Sequence, residues 1–349
     1  MNLNILAVDQ WDSRQIKINF LKRLRTESFD KIFIFTQNEF QFETIFDDFL
    51  HPFLGHYIET KGLNIEFITS VPPESDRSEK FKGLNMHYWD TYWLTKTYSI
   101  IYSNDNGLMN ERKKQQENAH KLKYHFIMMN NRAHDFRGKL VDILAREKLL
   151  DNNAISWNNT DKFLLNTFKF NYFDGNNRTL DEKYFTESGG QYSLPDQYFE
   201  SFAQLISESS PHTLFFSEKI SMALLVGKPF LAAAAPGIHN YLHNRLGIKY
   251  YHEIFDYSFD FELDLQKRWE LIVQNFVKLS TYSLDQLEDL QNQIKDKVEY
   301  NRKRAIEIVN DTSFMPLPVR ELFEMYKLNQ HHGLVNTHLY SVFEGLLST

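Results

Sequence analysis

Residues 212–237 read HTLFFSEKISMALLVGKPFLAAAAPG, and this stretch decides the fold. Ser217 suits the N-cap of a helix, with Glu218 and Lys219 in its first turn. Ile220, Ala223, Leu224 and Val226 supply an apolar face, and Gly227 suits the left-handed residue that ends such a helix. Lys228-Pro229 stops it. Residues 230–235, FLAAAA, make a buried strand without large side chains, and Pro236-Gly237 turns the chain into the next helix. A strand–helix–strand–helix order stands Ser217 and its neighbours at the top of a parallel sheet.

The same alternation runs through the chain. NILAV (4–8), KIFIFT (31–36) and NIEFITS (64–70) have strand composition, and SRQIKINFLKRLR (13–25) is a helix with Ile16, Phe20 and Leu24 on one face. EFQFETIFDDFLHPF (39–53) is also helical, and VPPESDRSEK (71–80) is a loop by its proline and charge content. A polar helix or linker, NERKKQQENAHKLK (110–123), separates this part from a second α/β series. That series starts with the strand YHFIMM (124–129) and the helix DFRGKLVDILAREKLL (135–150), and has an irregular excursion over 158–190. One long amphipathic helix over 264–310 and a shorter one over 318–328 close it. The expected architecture is α/β, with two Rossmann-like domains facing a cleft. The expected division is 1–118, 119–315 and a helical tail, 316–349.

Composition narrows the function. The chain has 349 residues, 42% hydrophobic and 24% charged, with 30 Phe and 18 Tyr, the make-up of an ordinary globular protein. A net charge of −7 argues against polyanion binding over the whole surface, which needs clustered Lys and Arg. Without cysteine there are no disulfides, thiolate zinc sites or cysteine nucleophiles. No apolar run reaches the ~20 residues of a spanning helix, and MNLNILAVDQW reads as a first strand and not a signal peptide. A cytoplasmic location is expected.

Polar residues gather where strands give way to helices. A helix N-terminus at Ser217 offers free amides and partial positive charge to a phosphate, and Lys219 adds a mobile charge. Glu218 matches the cis-diol of a ribose; the simpler account is that it complements the helix dipole while Lys219 is solvated. After the strand 124–129 come Asn130, Asn131 and Arg132, then Arg137 on the helix, and two arginines there can grip a diphosphate. Glu208 and two serines form a third cluster. In the first half, Asp9 and Asp12 follow the first strand and are candidates for a general base. Asp90 and His87 are the alternatives, with Tyr88, Trp89 and Trp93 as either a stacking surface or core. His239 and His243 share a helix face without a zinc motif around them.

In order, these residues resemble the C-terminal domain of the α-1,3-fucosyltransferase-type glycosyltransferases. YHFIMMNNRAHDFRGKLVDIL resembles that family's apolar strand, Asn/Ser turn and Arg-bearing helix. LISESSPHTLFFSEKISMALLVGKPFLAAAAPG resembles its Phe-Glu-Asn-Ser strand end, Thr-Glu-Lys helix start and following strand. Ser207 stands at the motif Phe and Ser209 at its Asn, and the likeness covers roughly 124–260. It implies a GT-B glycosyltransferase moving a sugar from a nucleotide-diphosphate donor to a saccharide or similar hydroxyl acceptor. Glu218 would hold the ribose, Lys219 with Arg132 or Arg137 the diphosphate, and Glu208 would lie near the transferred sugar. Asn131 and Ser217 complete the implied donor site. The donor is a substrate and no cofactor is implied; no Asp-x-Asp motif calls for a metal. Two alternatives stay open: a transferase acting on modified bases in DNA, and a non-catalytic nucleotide-binding or assembly protein.

Overall fold

The computed structural model describes residues 4–8, 14–36, 60–70, 85–90, 93–94, 97, 101, 121–130, 133–158, 168–180, 194–208, 210–327, 334–335, 343 and 346–347. The chain divides into two compact units, Met1–Tyr98 with Ile308–Thr349, and Ser99–Glu307.

The first unit is built on a parallel sheet. Its strands are β1 (Ile5–Val8), β2 (Lys31–Thr36), β3 (Ile65–Thr69), β4 (Asn85–Tyr88) and β9 (Leu334–Val335), in the order β4-β3-β2-β1-β9. Ile5 pairs with Lys31 and Ile32 with Ile65. The near-continuous apolar strands suit a sheet covered on both faces. Phe20 and Leu24 of α1 (Arg14–Thr26) pack on Leu6, Val8, Ile32, Ile34 and Phe67.

The last segment does not form the separate tail expected over 316–349. Val319, Leu322 and Phe323 of the helix Leu317–Lys327 are buried, Glu321 pairs with Lys31 of β2 at 3.1 Å, and β9 adds to the β1 edge. The division also falls at Tyr98/Ser99 and Glu307/Ile308, not at 118 and 315. The expected strand and helix at 4–8 and 13–25 are present, whereas the expected helix over 39–53 lies outside the described residues.

The second unit carries another parallel sheet, of β5 (Tyr124–Met128), β6 (Ala154–Ile155), β7 (Ser201–Ser207) and β8 (Phe230–Ala233), in the order β6-β5-β7-β8. α2 (Asp135–Arg146) connects β5 to β6, and α4 (Glu218–Val226) connects β7 to β8; the intervening short helix α3 is Asp196–Phe199. α5 (Ile238–Asn244) follows β8. α4 ends at Gly227 with φ +84°, the left-handed conformation that glycine adopts without a Cβ penalty. Inside α2, a Cβ on Gly138 would come 2.8 Å from the Phe168 ring, so this glycine permits the close approach of the excursion. Asp142 accepts hydrogen bonds from Asn171, Tyr172 and Phe173 N–H and fixes the chain there.

The single helix expected over 264–310 is two helices, α6 (Leu265–Leu279) and α7 (Leu284–Asn310). Ser283 N–H donates to Gln286 Oε1 at 2.8 Å, and Gln286 N–H donates to Ser283 Oγ at 3.2 Å. This reciprocal capping box starts a new helix. Trp269, Ile272, Val273 and Phe276 of α6 join the core beneath the sheet with Phe126, Leu140, Leu144 and Phe202.

Candidate functional site

The strand order of the second sheet sets the place. From β5 the chain crosses to β6 on one side, and from β7 to β8 on the other. The carboxyl ends of β5 and β7 therefore border a topological switch point, where open α/β sheets bind ligands. α2 and α4 both begin there.

Glu208 is the first residue after β7. Its N–H donates to Ala233 O at 3.1 Å, and the whole residue is 0% exposed. Oε1 accepts from Ser217 N–H at 3.1 Å and from Ser217 Oγ–H at 2.8 Å, while Oε2 accepts no hydrogen bond among the described residues. Burial pushes the carboxyl above its ordinary range, opposed by the nearby Lys219 charge and the Ser217 hydrogen bonds.

Ser217 is the N-cap of α4. Its Oγ accepts from Lys219 N–H at 3.3 Å and from the Lys219 ammonium at 3.3 Å. The Lys219 ammonium stands 3.8 Å from Glu208 Oε2 and 3.6 Å from Glu218 Oε1. Both separations exceed hydrogen-bond length, so the ammonium is electrostatically balanced by two carboxyl groups without being locked to either. With its side chain 18% exposed, it can turn to a ligand.

On the β5 side, Asn130 is 1% exposed and its N–H donates to Ser156 Oγ at 2.9 Å. Among the described residues, neither Asn130 Oδ1 nor Nδ2 has a hydrogen-bond partner, and the buried Ser207 Oγ has none. Arg137 is buried; its Nη2 donates to Ser207 O at 3.4 Å, and its guanidinium lies 5.6 Å from the Phe136 ring centroid. Each unpaired buried polar atom costs about 1–3 kcal/mol. Asn130, Ser207 and Glu208 thus concentrate unmet hydrogen-bonding capacity at one point of the sheet.

The structure brings Glu208, Ser217, Glu218, Lys219 and Arg137 to these strand ends. Asn131, Arg132, Asp9 and Asp12 lie outside the described residues. Of the alternative bases, His87 Nε2 is 2.7 Å from Glu66 Oε2, and Asp90 accepts from Tyr88 Oη–H. Trp89 and Trp93 are 2% and 1% exposed; they are core, and the stacking role considered for them is corrected. His239 is also structural, its Nε2 accepting from Ala232 N–H at 2.9 Å. His243 Nδ1 lies 3.0 Å from Ile248 O. Asn130 belongs to the polar turn singled out in the sequence and Ser207 to the motif there, but the sequence assigns neither a role. The signal for Asn130 was its place directly after an apolar strand; Ser207 looked like a motif departure.

Among the described residues no cluster of three or more His, Asp or Glu side chains fits a metal ion, and no helix is long and apolar enough to cross a membrane. The chain matches no protein-family model, no curated protein and no solved structure.

Proposed function

We propose that this protein is a glycosyltransferase of GT-B architecture, related to the α-1,3-fucosyltransferase type, that uses a nucleotide-diphosphate sugar. The donor would sit at the carboxyl ends of β5 and β7, with its diphosphate at the start of α4. The observation that carries this reading is the gathering of unpartnered buried groups of Asn130, Ser207 and Glu208 beside Lys219 at that switch point. A ligand with both donors and acceptors would supply partners for such groups.

In this reading Lys219, Arg137 and the first amides of α4 stabilise the charge that develops on the departing diphosphate. One such donor is typically worth about 10²–10³ in rate. Glu218 takes the ribose diol and Glu208 lies at the diphosphate or the sugar. The presence of two parallel-sheet units supports a donor domain and an acceptor domain. A general base from Asp9 or Asp12 would serve an inverting reaction, on a carbohydrate acceptor in the cytoplasm.

A thermal-shift panel of GDP, UDP, CDP and dTDP sugars tests the proposal. One nucleotide class should raise Tm and be hydrolysed or transferred. No shift with any of the four would refute the donor site, and a shift without turnover on any acceptor would leave a nucleotide-binding protein that is not a transferase.

A further inference from the structure

A diphosphate at the start of α4 meets a charge problem. Glu208 and Glu218 both carry carboxyl groups near Lys219 Nζ, at 3.8 and 3.6 Å, so two carboxylates would oppose one ammonium and repel the ligand. The geometry of Glu208 points to a resolution. A carboxylate can only accept hydrogen bonds, whereas a carboxylic acid also donates one. Ser217 supplies two donors to Oε1, and the fully buried Oε2 receives none. An ion so placed would be buried with half its acceptor capacity unmet, a costly arrangement. A neutral acid instead needs only an acceptor for its proton, and phosphoryl oxygens are acceptors.

We propose that Glu208 is a hydrogen-bond donor to the ligand, offering its Oε2 proton to a phosphoryl oxygen of the bound diphosphate. This rests on the donor-site reading above and adds a role to it: the site recognises the anion partly through a neutral group. The groups around Glu208 fit. α4 contributes Ser217, Glu218 and Lys219, and α2 contributes Arg137 through its bond to Ser207 O. The β8 neighbour bonded to Glu208 is the backbone of Ala233. Burial, the largest influence on this carboxyl, favours the protonated form. With Glu208 neutral, Glu218 is left to offset Lys219 and no second carboxylate opposes the anion.

Binding is then linked to a proton. As pH rises through the ionisation of Glu208, a donor is replaced by an anion and affinity falls, by up to about tenfold per pH unit. Calorimetry of inorganic pyrophosphate on the wild type and on Glu208→Gln, in parallel over about pH 5–9, measures this above the ordinary glutamate value near 4.3. The amide keeps a donor and does not titrate, so the ratio of the two Kd values cancels the titration of pyrophosphate itself. The ratio, wild type over variant, should climb with pH once Glu208 ionises; a flat ratio without a protonated-carboxyl band in the wild type overturns the donor role.

Infrared spectroscopy gives a second reading on the wild type alone. A protonated-carboxyl band should be present at neutral pH and shift to lower frequency when pyrophosphate is added. Its absence, or indifference to pyrophosphate that binds, also overturns the proposal. Failure of pyrophosphate to bind the wild type at any pH refutes the diphosphate reading itself; binding with a flat ratio and no pyrophosphate-sensitive protonated-carboxyl band refutes the donor role alone.

Discussion

Lys219 and Glu208 share one hydroxyl: Ser217 Oγ donates to Glu208 Oε1 at 2.8 Å and lies 3.3 Å from Lys219 Nζ. The three side chains couple the end of β7 to the start of α4, so the cap that shapes the helix also holds the charged groups in place. Binding and stability should nevertheless separate when they are changed one at a time.

Lys219→Ala should weaken nucleotide-diphosphate binding ten- to hundredfold, the loss of about one charge-assisted hydrogen bond. Folding stability should change by no more than about 1 kcal/mol, because the ammonium is partly solvated and stands 3.6 Å or more from both glutamate carboxyl groups. Ligand titration and urea unfolding measure the two effects. A variant that keeps full affinity would remove Lys219 from the site.

Ser217→Ala should show the opposite balance. It loses the N-cap acceptor for Lys219 N–H and the hydroxyl donor to a buried carboxyl, a combined cost of about 2–4 kcal/mol. Ser217→Thr, which keeps the oxygen, should recover most of it. Urea midpoints at unchanged m-value are the measurement.

His239 predicts an acid limb of stability. Burial holds its pKa down to about 3, against an ordinary 6.5. Between those values the unfolded chain binds a proton that the folded chain does not. Its contribution is therefore complete above pH 6.5 and is lost as pH falls toward 3, at up to about 1.4 kcal/mol per unit. The buried carboxyls of Glu208 and Asp260 are shifted upward, so their contribution is present at low pH and lost as pH rises through their folded values. Stability curves of wild type and His239→Gln, compared over this range, isolate the histidine. Identical slopes would show that it does not titrate differently on unfolding.

Leu322→Ala tests the membership of the last helix in the first unit. Leu322 is 0% exposed, and its truncation should cost about 2–5 kcal/mol. Amide exchange should accelerate in β1 and β2, the strands that β9 and Lys31–Glu321 tie to this segment. Protection unchanged in β1 would argue that the segment is an appendage.

What was legible in the sequence was local. β1, β2, β3, β5 and β7 announce themselves as apolar runs, and Ser217 and Gly227 mark both ends of α4 in the sequence itself. The Ser283-x-x-Gln286 box was visible too, yet the continuous amphipathic pattern across it masked the break between α6 and α7. Other features depended on distant partners. Nothing within 316–349 reveals that Leu334 and Val335 pair with Ala7 and Val8, because the pairing joins segments remote in the chain. Trp89 and Trp93 were ambiguous for the same reason: an aromatic run suits a binding face or a core, and only burial decides. For the candidate site, residue types at strand ends located Glu208, Ser217 and Lys219. The unmet hydrogen-bonding capacity of Asn130 and Ser207 emerges only once neighbouring strands enclose them.

The interleaving of the two units has a consequence for biosynthesis. Ser99–Glu307 is one uninterrupted span, whereas the first unit needs Ile308–Thr349 to complete its sheet. On a ribosome the later-made unit can finish folding while the earlier one still waits for its closing strand. During that interval Ala7 and Val8 present an unpaired backbone edge, a template for wrong partners. Chaperone dependence of the nascent chain should therefore concentrate on Met1–Tyr98, synthesised well before the segment that completes their unit.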